Sequence, residues 1–167
     1  AGNSGNILAG AGGRIAVSWN SSTYSGTYEC ASGFNTPSGL KNANPGTLSL
    51  PSGTNLAVNK DVGLPPGDNT YGTVLVTSGT ILALHGDSLT GVGCTLNAAS
   101  FSVSVGGVAS ANGEGYAGSS GPGAGAVSGN QGASHGGRGG GSTVVTYGSA
   151  SAPVTLGSGG VSSPYFY

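Results

Sequence analysis

Apolar and polar positions alternate along this chain in many short runs, each cut off by turn residues. In NLAVNKDV (55–62), Leu56 and Val58 fall on one face, the two-residue period of a half-buried strand. TVLVTSGTILAL (73–84) predicts two strands about a turn at Ser78-Gly79, and SFSVSVGGV (100–108) points Phe101, Val103 and Val105 inward. Before them lie GGRIAVSW (12–19), SGTYECASGF (25–34) and GTLSL (46–50). After them, from 106 to 160, the chain turns Gly/Ser-rich, relieved by STVVTYGS (142–149) and APVTLGS (152–158). Gly, Pro, Asn and Asp punctuate the runs, as at 65–69 and at Gly86-Asp87, where they suit turns.

Composition sharpens this reading. The 167 residues include 36 Gly, no Met and 5% charged residues, but 36% are hydrophobic. So much apolar content separates the chain from charged disordered segments that cannot collapse. Each helical Gly costs about 1 kcal/mol against Ala, and Val, Ile, Leu and Tyr among Ser and Thr favour strands. The fold class expected is all-β, as a single domain over 1–167. Within it lie N-terminal strands (1–50), a dense β region (51–110), a Gly/Ser-rich packed segment (106–160) and an aromatic tail (161–167). Several runs look apolar or small on both faces, and Ser, Thr and Asn recur at strand ends. That texture favours a Gly-rich β-solenoid resembling a parallel β-helix, with a β-sandwich as the alternative.

Chemistry is sparse. The formal net charge of −1 gives no footprint for nucleic acid, and no apolar run approaches the roughly 20 residues of a membrane span. GASHGGRGGG (132–141) contains Gly-x-Ser-x-Gly, but a nucleophile elbow needs a strand before the Ser and a helix after it, and neither is in view. One Arg in a glycine run is too little for an RGG segment. GPGAGA (121–126) lacks the βαβ context of a dinucleotide fingerprint. Glu29, Asp61, Asp68, Asp87 and Glu114 are scattered singly, unlike the paired carboxylates of a glycosidase; Asp68 and Asp87, each after Gly, read as turn caps. His85, His135, Cys30 and Cys94 lack paired ligand spacing. The chain therefore reads as no enzyme, with no catalytic residue, metal or cofactor.

What remains is structural. A Cys30–Cys94 disulfide would add roughly 3–5 kcal/mol, and Asn20 heads the single N-glycosylation sequon. Together they favour an extracellular setting, with Ala1 a processed or internal start. Trp19, Tyr24 and Tyr28 are candidates for stacking on sugars. Pro164, Tyr165, Phe166 and Tyr167 suit an assembly interface. In 132–141 the glycines suit close backbone packing, with Ser134, His135 and Arg138 as a clamp and Arg138 its buried donor.

The order GAGGRIAV (10–17), YSGTYECASG (24–33), GTLSL (46–50), the segment 86–118, GPGAGAVSGNQGASHGGRGGG (121–141) and YGSASAPVTLGSGG (147–160) resembles Gly-rich modules of very large secreted and cell-surface proteins of bacteria and protists. The resemblance implies β-helical stalks or adhesive layers and supplies no catalytic residues. In such modules LGSGG precedes AGGRIAV after a short variable segment, so the tail of one copy would run into the start of the next. The function expected is a subunit or repeat unit of an extracellular filament, stalk or surface layer, with itself as partner. The alternative is a carbohydrate-binding or adhesive module of a larger surface protein.

Overall fold

The computed structural model describes residues 12–19, 30, 45–125, 131–141 and 143–161. Among them are eight strands and no helix: β1 (Arg14–Ala16), β2 (Thr47–Ser49), β3 (Thr54–Val58), β4 (Val62–Leu64), β5 (Gly67–Val76), β6 (Ile81–Leu84), β7 (Cys94–Val103) and β8 (Val108–Ser110). The fold is all-β. A five-stranded sheet has the order β1-β2-β4-β6-β8 and a three-stranded sheet the order β3-β5-β7. From β2 onward the chain changes sheet with every strand. Each return is parallel: Thr47 pairs with Gly63, Val62 with Leu82, and Ile81 with Val108. β3 and β5 are likewise parallel. Parallel neighbours require a long crossover, and here the crossover is a strand of the other sheet.

The periodicity of the sequence explains which side chains fill the interior. Leu56 and Val58 of β3 are buried, as their spacing predicts, and Tyr71, Val74 and Val76 of β5 join them. The step from Tyr71 to Val74 breaks the two-residue period because β5 carries one extra residue there: Thr54 pairs with Tyr71, but Leu56 with Val74. This β-bulge returns Val74 to the interior. Asn55 fills its hollow, accepting the N–H of Thr73 on Oδ1 at 2.9 Å. The five-stranded sheet contributes Leu48, Val62, Leu64 and Leu82, and all three residues of β4 are buried.

Threonines close the corner between β5 and β6. Thr77 and Thr80 donate their hydroxyls to Val58 O at 2.8 and 3.0 Å. The expected turn is present at Ser78-Gly79, with Gly79 at φ 74° and its N–H on Gly106 O at 3.0 Å. Corners of successive returns thus lie against one another. Asp61, buried between β3 and β4, accepts the N–H of Ile81 at 2.9 Å.

One expectation is overturned. Phe101, Val103 and Val105 are 48%, 41% and 95% exposed. β7 is the last strand of its sheet among the described residues, so its apolar face is only half covered, and Val105 lies in the turn beyond it. Alternation marks a face but not whether another layer covers it.

The chain divides into two compact units. The first comprises 1–84 and 96–110, the second 85–95 and 111–167. One boundary follows β8, between 110 and 111, and another falls inside β7, between 95 and 96. Apart from the start of β7, the second unit is held among its described residues by isolated antiparallel bridges, Asp87–Val92, Val92–Thr155 and His135–Gly137.

Candidate functional site

A polar network lies in the second unit, where GASHGGRGGG folds back on itself. Gly132 donates its N–H to Gly140 O at 2.9 Å, and His135 donates to Gly137 O at 2.9 Å. Ser134 is completely buried. Its backbone N–H reaches Gly123 O at 2.8 Å, and its Oγ accepts the N–H of Gly139 at 3.2 Å. A hydroxyl so placed holds two passes of one loop together. Closed to solvent, it offers nothing for a substrate to reach.

His135 is half-buried. Its Nε2 lies 2.9 Å from Thr155 Oγ1, and its ring meets Tyr147 edge-on, with centroids 4.9 Å apart. The Tyr147 hydroxyl donates to Leu156 O and lies 2.8 Å from Ser158 Oγ, which accepts the N–H of Gly123 at 2.9 Å. Segment 154–161 is therefore the axis of this unit. Leu156 is buried within it, Tyr116 N–H reaches Gly157 O at 2.9 Å, and Ser119 N–H reaches Gly160 O at 2.8 Å. Nothing in the local sequence shows that Tyr147 and Ser158 hold this segment together.

Arg138 is not the buried clamp expected: its side chain is exposed. Between Gly137 and Gly139 it sits on the outer side of the loop, where water solvates the charge that burial would penalise. Arg138→Ala is accordingly expected to change stability by less than about 0.5 kcal/mol, measured as the thermal midpoint of the purified chain.

Acidic residues fasten a second cluster. Glu114 places Oε1 3.1 Å from His85 Nδ1 and accepts the N–H of Gly86 on Oε2 at 3.0 Å, tying residue 114 to the start of loop 85–95. Asp87 caps its turn as expected, accepting the Thr90 hydroxyl at 2.7 Å and the Leu89 N–H at 2.9 Å. Those bonds, Thr90's first, hold its carboxyl below the usual range. Asp68 corrects the expectation of a turn cap, because it lies within β5 and is exposed. Nothing in the local sequence around Asp61 or Glu114 announces their roles, since their partners lie far along the chain.

Neither Cys30 nor Cys94 takes part in a disulfide in the structure, so the Cys30–Cys94 bridge that the sequence left possible is not formed. Cys30 is buried in the first unit and directs its thiol to Gly46 O at 3.4 Å. Burial pushes its pKa up, against a smaller opposing effect of a hydrogen bond from the Gly63 backbone. Cys94 is half-buried at the start of β7. Trp19 is half-buried. Asn20, Tyr24, Tyr28, Pro164, Tyr165, Phe166 and Tyr167 lie outside the described residues. Among those described, no three His, Cys, Asp or Glu side chains converge on a point where a metal ion could sit, and no helix is long and apolar enough to cross a membrane. Comparison with known proteins gave no match to any family model, curated protein or solved structure.

Proposed function

We propose that the chain is a β-solenoid building block of an extracellular filament, stalk or surface layer, joined head-to-tail to further copies of itself. Alternation of successive strands between two sheets, with parallel returns and stacked corners, supports coils over a sandwich, whose sheets are characteristically antiparallel. Such coils extend by adding strands to both sheets at once. The observation that carries the reading is the end formed by β7 and β8. Both are outermost strands among the described residues, and they bring half-exposed Phe101, Val103 and Val108 to the surface. An edge strand with unsatisfied backbone groups is a template for another chain. A heterologous contact that does not close gives a fibre.

The backbone of β8 supplies a selective test. Val108 donates its N–H to Thr80 O at 3.0 Å, so strand alternation turns the amide of Ala109 away from β6. Ala109→Pro removes that outward donor without removing a bond to β6. Wild-type material is expected to form fibres in negative-stain micrographs and to sediment above monomer size. Ala109→Pro is expected to stay monomeric with unchanged circular dichroism. Wild-type protein that remained monodisperse at monomer size, without fibres, would sink the reading.

A further inference from the structure

We propose that Asn112 is a site of spontaneous covalent modification, converting through a cyclic imide to aspartate and isoaspartate within the folded chain. Asn112-Gly113 is the single Asn-Gly pair in the sequence; after every other asparagine comes a residue with a side chain. The pair forms the corner of an exposed turn, closed by the N–H of Glu114 on Ala111 O at 3.2 Å. Gly113 stands at φ 77°, a conformation glycine adopts without strain. No Cβ at residue 113 hinders its nitrogen from approaching the Asn112 side chain.

The step balances without oxidant or reductant. The deprotonated backbone nitrogen of Gly113 attacks Cγ of Asn112, a C–N bond forms, the Cγ–Nδ2 bond breaks, and ammonia leaves with the proton. Solvent water then opens the imide at one of its two carbonyls. One opening gives aspartate, and the other routes the main chain through Cβ and Cγ as isoaspartate.

Position gives the conversion a structural consequence. Glu114, two residues on, holds His85 Nδ1 at 3.1 Å and the Gly86 N–H at 3.0 Å. Isoaspartate lengthens the backbone just ahead of this carboxylate, and either product adds a negative charge beside it. The tie between Glu114 and loop 85–95 is thereby loosened with age.

The test incubates the purified chain at mildly alkaline pH and follows it by peptide mapping, with an isoaspartate-specific methyltransferase as probe. Amide loss and methyl acceptance are expected at residue 112 before any other asparagine. Both should be lost in Asn112→Gln, whose larger imide ring closes far more slowly. Hydrogen exchange at the Gly86 amide should quicken in aged wild type and not in aged Asn112→Gln. Retention of the amide at 112 while other asparagines convert, or conversion in urea alone, would overturn the site. Full conversion with unchanged Gly86 exchange would overturn the link through Glu114.

Discussion

Leu82→Ala is expected to destabilise the first unit by about 2–5 kcal/mol, the range for deleting a fully buried leucine. Leu82 has no exposed surface, and neither does Leu64; Val58, Val74 and Val76 are nearly or wholly covered too. β6 has a parallel neighbour on each side, Leu82 pairing with Val62 of β4 and with Ala109 of β8. Strands pinned in this way cannot close up on the vacated volume, so the cavity adds to the lost transfer energy. Against a total stability of about 5–15 kcal/mol for a typical domain, the loss is large. Urea unfolding followed by the fluorescence of Trp19, the single tryptophan, measures it. Leu89→Ala, at a position 96% exposed, is the control and should leave the transition in place. A shift below about 1 kcal/mol for Leu82→Ala would mean that the two sheets do not pack as a closed interior.

Much of this interior was legible because a strand buried on one face writes its period into the sequence. Leu56 and Val58 obey it, and the Ser78-Gly79 turn is marked by its own residues. The same rule misplaced Phe101 and Val103, for a physical reason: alternation encodes a face, while cover depends on whether another layer follows. The bulge in β5 has no local sequence signal because it is defined by register against β3, and Asn55 reads as an ordinary polar position until its partner, Thr73, is known. In the second unit the glycines pointed correctly to close backbone approach. Arg138 brings five donors, but burying its charge costs more than they return. Ser134, small and neutral, takes the interior instead. Glu114 and Tyr147 were illegible because their bonds reach loop 85–95 and segment 154–161, which no local pattern places beside them.

The sharpest test of the second unit sets two adjacent glycines against each other. A methyl group on Gly139 would collide with the carbonyl oxygen of Ala133 and come within 2.5 Å of the Gly132 carbonyl. Both obstacles are backbone, so no side chain can swing aside. Relief requires the two passes of the loop to separate. That stretches the Gly132–Gly140 bond and the bond from Gly139 N–H to Ser134 Oγ, and it lets water reach a serine that is otherwise sealed. Gly139→Ala is expected to destabilise this unit by about 1–3 kcal/mol, the usual consequence of forcing atoms into a filled space. Gly140 has nothing within 4 Å of the same added atom and does not have a positive φ. Gly140→Ala should therefore be neutral or stabilising by up to about 1 kcal/mol, because alanine narrows the unfolded ensemble. Amide exchange at Gly132 and Gly139 reads both variants, rising in the first and unchanged or slowed in the second. Equal effects at the two positions would show that glycine serves this loop through flexibility alone, and that the backbone contact between 132–134 and 139–140 does not hold it.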